Sequence, residues 1–304
     1  MVFCFMMRDV PFLAAASSAL RTVLAAPARQ AECLGVTRGA LYLKTAGPPG
    51  VLVVLSHDAV RLPCGLVLPS TSAELPLTSL APARSWRILI GNGEVRWAGP
   101  DGPVVVRAVR EWAPARLARG QVAARALAEV RSALNRADPG IDGGLLVDLG
   151  AAAGDHKAAT AVATRLLGSG PGLTPSGDDV LAGFLAGAAA FGVAAAPLRG
   201  TVAVLAPART TALSAALLWH AARGECIGGL AGLAAVLTSQ RPGGPELAGP
   251  AVRSLLSVGH TSGAALALGL VTAAESALRG TVTTPESSAS STSGTTAACG
   301  GSRQ

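Results

Sequence analysis

Val180, Leu181, Phe184, Leu185, Ala188 and Phe191 recur at intervals of three and four residues, the period of a helix with a buried face. Gly192 is the expected stop. Residues 180–198 carry no charge, so this stretch is buried in either protein or lipid. Its richness in Ala and Gly supplies little transfer energy and favours protein. Helical texture is expected from residue 115 onward: over 115–135, over 157–167, from Thr210 to Gly224–Glu225, and from Ser262 to about Leu278. Between about Leu41 and Trp112 the texture is different, with short apolar runs broken by Gly and Pro. Residues 51–55, 65–68, 86–90, 95–97 and 104–109 are the expected strands. Gly91-Asn92-Gly93 and Pro100-Asp101-Gly102 are turns between the later ones. Upstream, Val10 to Leu24 reads as a helix ending near Pro27.

These elements give an α+β protein in three parts. An antiparallel β-rich domain with a leading helix covers 1–113, a mostly helical domain covers 114–280, and a Ser/Thr/Gly/Ala tail covers 281–304. That tail is too poor in apolar residues to order itself.

Composition narrows the classes. Half of the 304 residues are apolar but only 3% are aromatic, so the core is Ala, Leu, Val and Gly, which favours closely packed helices. The net charge of +7 comes almost wholly from Arg, with no basic run interleaved with aromatics. A surface that welcomes small anions follows; a nucleic-acid partner does not. The five cysteines are scattered, with neither a disulfide framework nor a zinc spacing, which fits a reducing cytoplasm. The apolar start at Met1 to Met7 lacks a basic flank and is interrupted by Arg8-Asp9, so no signal peptide is read there, and no membrane partner is expected.

The chemistry concentrates in residues 168–183. Gly168, Gly170 and Gly172 imply a sharply turning backbone with uncovered amides. A helix start is then written twice, by Thr174 with Pro175 and by Ser176 with Asp179 as a capping box. Caps need one acceptor, whereas Ser169, Thr174, Ser176, Asp178 and Asp179 supply five. A helix N-terminus favours each carboxylate by about 0.3–1 kcal/mol. A phosphate within 4–5 Å of an ionised Asp is repelled by roughly 3–4 kcal/mol at an effective dielectric of 20. Either a cation bridges the two charges, with Mg²⁺ at Asp178/Asp179 as the alternative to no cofactor, or the carboxylates face an amide N–H while the glycine amides face the anion.

Two more segments carry polar groups in apolar surroundings. Thr210, Thr211 and Ser214 either bond back to the backbone or line a polar cavity, and Arg209 is the candidate partner for a carboxylate or phosphate. Gly259-His260-Thr261-Ser262-Gly263 opens the last helix and repeats a spacing. Ser176-Gly177 and Ser262-Gly263 are each followed by five residues and a glycine, Gly183 and Gly269. Two helix starts converging on one hollow would make an anion cradle, with His260 as donor or general acid.

Residues 170–179, Gly-Pro-Gly-Leu-Thr-Pro-Ser-Gly-Asp-Asp, followed by Leu181-Ala182-Gly183, resemble the signature of a bacterial family that includes a subunit of oxamate carbamoyltransferase, an enzyme of anaerobic allantoin breakdown. Residues 209–214 and 259–263 extend the likeness across about 160–280; Val180 and Ala264-Ala265 depart from it. The resemblance implies transfer of a carbamoyl group between carbamoyl phosphate and a small acid amide such as oxamate, alongside other subunits of a complex. The alternative is a non-catalytic subunit that binds a small anion or scaffolds. On this reading Asp178, Asp179 and His260 are catalytic candidates. Gly172, Thr174, Ser176, Gly177, Arg209, Thr210, Ser214, Thr261, Ser262 and Gly263 are substrate-binding candidates.

Overall fold

The computed structural model describes residues 10–82, 87–135, 137–238 and 244–282. The expected absence of a leader at residues 1–9, Trp86 of one expected strand, and the tail from 283 lie outside the described residues. The chain is α+β, with strands first and helices after.

Eight strands close into a barrel: β1 (Phe12–Ser17), β2 (Arg29–Val36), β3 (Ala40–Lys44), β4 (Val51–Leu55), β5 (Gly65–Val67), β6 (Ile88–Gly91), β7 (Glu94–Gly99) and β8 (Gly102–Trp112). Their order is β1-β5-β4-β3-β2-β6-β7-β8, and β8 returns to β1. Most pairs are antiparallel, but β1 runs parallel to β8 and β4 parallel to β5. The hairpin at Asn92 matches its sequence, with Asn92 at φ 54° and Gly93 at φ 81°. All five residues of β4 are buried, because Leu213 and Ala216 from the helical part join the barrel core on its outer side.

The leading helix expected over 10–30 is corrected. Phe12–Ser17 is a strand, a single tight turn covers Ser18–Leu20, α1 is only Arg21–Ala25, and Arg29–Val36 is a strand. Ala14 and Ala16 are buried while Leu13 is 52% exposed, an alternation of period two that helix-favouring alanines concealed. Barrel closure decides the matter: β1 lies between β5 and β8, and without it both would keep open edges. The Trp112 indole N–H donates to the Ala15 carbonyl across this seam, at 3.2 Å.

Residues 115–135 differ too. Ala115–Arg116 forms a short strand β9 paired with β10 (Glu225–Cys226), and the helix α2 begins only at Ala124, running to Leu134. Arg116 is drawn away from a helix by its ion pair with Glu225, at 2.6 Å. The helices that follow are α3 (Gly143–Ala152), α4 (His156–Leu166), α5 (Ser176–Phe191), α6 (Ala196–Arg209), α7 (Ala212–Ala221), α8 (Gly228–Leu237), α9 (Ala248–Leu256) and α10 (Ser262–Val282). Helix α3 lies between the helices expected over 115–135 and 157–167, where none was expected; Asp142 caps it by accepting the Gly144 N–H. The charge-free run 180–198 is broken by Gly192 in the left-handed conformation, and among the described residues no helix is long and apolar enough to cross a membrane.

Helices α5 and α10 cross at the centre of the helical part. Their glycines are matched. A Cβ on Gly183 would lie 2.1 Å from the Leu266 carbonyl oxygen, and one on Gly269 would lie 2.0 Å from that of Val180. Val180 stands four residues after Ser176, as Leu266 stands four after Ser262, so the contact is reciprocal. The likeness continues outward. Gly177 abuts the Leu166 carbonyl at the end of α4, and Gly263 abuts the Leu255 carbonyl near the end of α9. The repeated Ser-Gly spacing is therefore a local two-fold: α4–α5 and α9–α10 are equivalent pairs packed back to back through glycine.

Candidate functional site

The local two-fold brings two helix starts together. Thr174 Oγ1 and Ser262 Oγ are 2.9 Å apart, and the Ser176 hydroxyl donates to Thr261 Oγ1 at 3.2 Å. These hydroxyls do not serve as caps, so the sequence expectation is corrected. Pro175 occupies the N-cap with extended backbone and no side-chain bond, and its carbonyl accepts the Asp178 and Asp179 amides. Ser176 is the first helical residue, and its hydroxyl turns to the opposing helix.

Asp178 and Asp179 are adjacent on α5 and therefore diverge. Asp178 holds the glycine loop in place. Its Oδ1 accepts the Gly168 N–H at 2.9 Å and its Oδ2 accepts the Thr210 hydroxyl. Gly168 has φ 74°, and a Cβ there would meet the Arg209 carbonyl, so this loop closes onto the end of α6. Thr211 caps α7 by accepting the Ser214 N–H at 3.0 Å and donates to the Leu173 carbonyl at 2.6 Å. Ser214 Oγ lies 3.5 Å from the same carbonyl. The three hydroxyls thus neither bond back within their helix nor face a cavity together. They strap the glycine loop to α7. Replacing Thr210 by Val leaves one oxygen of a buried carboxylate unpaired. A loss of about 1–3 kcal/mol is expected in urea unfolding, against a near-neutral Thr211→Ser control that keeps its cap.

Asp179 has another environment. It is 5% exposed, its Oδ2 has no hydrogen-bond partner among the described residues, and it faces a cavity of about 330 Å³. Burial pushes its carboxyl up to about 7, with the charge of Asp178 adding to the rise and the Ser262 and Thr174 hydroxyls opposing it. The cavity lies between barrel and helices. Thr37, Tyr42, Leu55 and Leu62 form one wall; Thr174, Leu213, Leu217, Ser262 and Leu266 form the other. None of its lining residues, among those described, is Lys or Arg.

A second carboxylate lines the same cavity. Glu225 follows Gly224, and its Oε2 lies 2.7 Å from His220 Nδ1 while its Oε1 accepts from Arg116 at 2.6 Å. The His220 bond, then the charges of His220 and Arg116, hold Glu225 below its ordinary value against its own burial. Two carboxylates in one cavity are thus driven apart in charge state, the arrangement that assigns an acid and a base. Cys226 lines the cavity as well, but burial pushes its thiol up to about 12, so it is not a thiolate near neutral pH. Sequence reading missed this group because Arg116 lies 109 residues from Glu225 in the chain. The only local sign was a lone acid after Gly224 in an apolar segment.

The remaining candidates stand apart from this cavity. Arg209 is exposed at the end of α6 and His260 is exposed in the turn before α10; neither lines the wall. Gly172 is exposed with φ 92° and open space where a Cβ would be. Gly177 and Gly263 serve the helix contacts described above. Among the described residues no cluster of three or more His, Cys, Asp and Glu is arranged for a metal, and Asp178 and Asp179 engage different neighbours.

Residues 166–274 match the family model described as oxamate carbamoyltransferase subunit AllH. Over that stretch the chain is similar to the AllH family. No curated protein and no solved structure gave a significant match. The matched stretch contains both helix starts and the cavity-lining residues from Leu173 to Leu266, Asp179 and Glu225 among them, which form the helical wall. The barrel wall and Arg116 lie outside it. The matched segment therefore meets the barrel across the cavity, which is lined from both.

Proposed function

We propose that this chain is the subunit of an oxamate carbamoyltransferase-type complex that recognises the uncharged amide or carbamoyl group, and that the opposite charge for phosphate comes from outside this cavity. The observation that carries the reading is Asp179 Oδ2, unpartnered among the described residues and facing a cavity with no described lining cation. A carbamoyl or amide NH₂ donates to such an oxygen. A phosphate beside it would be repelled by roughly 4 kcal/mol at an effective dielectric of 20. Asp179 near 7 is able to give or take a proton at the amide nitrogen, and Glu225, kept ionised by Arg116 and His220, is a second acceptor lining the same cavity. Transfer of the carbamoyl group from carbamoyl phosphate forms a C–N bond to the amide nitrogen, breaks the carbamoyl C–O bond to phosphate, which leaves, and removes a proton from that nitrogen, giving an N-carbamoyl amide acid. Placing two acceptors around the nitrogen orients it and stabilises the charge developing there. The similarity to AllH supports a place in a transferase complex.

Calorimetric titration of the isolated chain tests this. Oxamate and its carbamoylated product are expected to bind amide end inward, with proton release between about pH 6 and 7, and Asp179→Asn to weaken both by about tenfold or more. Inorganic phosphate is expected not to compete. Unaltered amide binding and unaltered turnover of the assembled complex in Asp179→Asn would leave the scaffold role instead.

A further inference from the structure

Helix α7 separates two cavities. Leu213, Leu217 and Ala221 face the first, while Trp219 and neighbouring alanines face a second of about 610 Å³. This second space lies between the turn joining β3 to β4 and helices α6 and α7. Its character is opposite to that of the first. Lys44 and Arg199 line it, and none of its lining residues, among those described, is acidic. Lys44 has only a loose ion pair, 3.9 Å from Glu32. The Arg223 guanidinium sits 4.4 Å from the Trp219 ring centroid, so a third positive charge borders the indole. Thr45 also lines this cavity, and its Oγ1 is buried with no hydrogen-bond partner among the described residues.

We propose that this second cavity binds a small anion carried on a flat apolar body, an aryl phosphate or aromatic carboxylate. Surface cations alone are ordinarily just solvated. Here they border a concave space lined by Thr45, whose hydroxyl is buried and without a partner among the described residues, and a solvated face leaves no hydroxyl both buried and unpaired. The anion accepts from Lys44 and Arg199 in charge-assisted hydrogen bonds. Thr45 supplies a further donor. Trp219, Pro48, Pro49 and Pro207 provide the rigid apolar surface that a ring covers. The inference is independent of the amide reading, since it uses neither Asp179 nor the first cavity.

Phenyl phosphate titrated into the full chain by calorimetry is the test. One saturable site is expected, weakening as salt rises. Inorganic phosphate and benzyl alcohol are each expected to bind at least about tenfold more weakly, since each lacks half of the ligand. Lys44→Gln with Arg199→Gln is expected to weaken phenyl phosphate by about tenfold or more. Ala203→Trp, at an exposed position of α6 that lines the cavity, is expected to abolish binding by filling it. All three positions are exposed, so urea midpoints serve to show intact folding. The proposal is overturned by no saturable binding, by binding that survives Ala203→Trp or the double Gln variant, or by inorganic phosphate binding as tightly as phenyl phosphate.

Discussion

Alanine at Gly269 is expected to destabilise the protein by about 3 kcal/mol or more in urea unfolding, well above the cost of an ordinary small-to-large change. The added methyl would stand 2.0 Å from the Val180 carbonyl and 2.8 Å from the Phe184 amide, both backbone atoms of α5. Neither has a rotamer to escape into, so the two helices must separate. Alanine's better helix propensity, worth about 1 kcal/mol over glycine, offsets only part of this. Gly183→Ala meets the equivalent Leu266 carbonyl from the other side, at 2.1 Å, and should cost about the same. Because both substitutions act by parting one contact, the double variant should cost clearly less than their sum. Gly280→Ala, on α10 with open space where the Cβ would lie, is the control and should be neutral or slightly stabilising. A Gly269→Ala variant as stable as wild type would show that the two helices do not meet at this distance.

That contact explains how much of the fold could be read directly. The spacing Ser-Gly, five residues, Gly is visible twice in the chain, and its cause is a pair of close helix crossings related by a local two-fold. The hydroxyls beside it are equally visible, but their partners are not: Thr174 meets Ser262 and Ser176 meets Thr261 across more than eighty residues. Strands with branched residues and turn signals on both sides, such as β4 and the hairpin at Asn92, are legible for local reasons. Phe12–Ser17 is not, because alanine carries a helical preference that only closure of the barrel overrides. Arg116 looks like one of several arginines on a wet helix face until Glu225 is placed beside it. Asp178 and Asp179 are indistinguishable in sequence. Their difference comes from what stands opposite each: a glycine amide and a threonine for one, an open cavity for the other.

The same difference gives the last expected result, that Asp179→Asn stabilises the protein at pH 8 while removing amide binding. With its carboxyl near 7 in the folded state and 3.8 as its ordinary value, the folded chain holds a proton between about pH 4 and pH 7 that the unfolded chain has released. Stability therefore falls as pH rises through that window and is level above it. The gap corresponds to a loss of about 4 kcal/mol. Asp178, also raised by its burial, adds in the same direction. Glu225, held below its ordinary 4.5, acts with the opposite sign and only at lower pH, where stability is lost as it protonates. Asparagine carries no charge at any of these pH values, so the variant should lack most of the slope between pH 4 and 7. At pH 8 it should be more stable than wild type by about 2 kcal/mol or more, and close to it at pH 5. Urea unfolding at the two pH values measures both. A carboxylate kept only as a favourable charge at a helix start would behave otherwise, since its loss costs about 0.3–1 kcal/mol at pH 8. Gain of stability with loss of binding is what a residue retained for its chemistry produces, and loss of stability with binding intact would return Asp179 to a purely structural role.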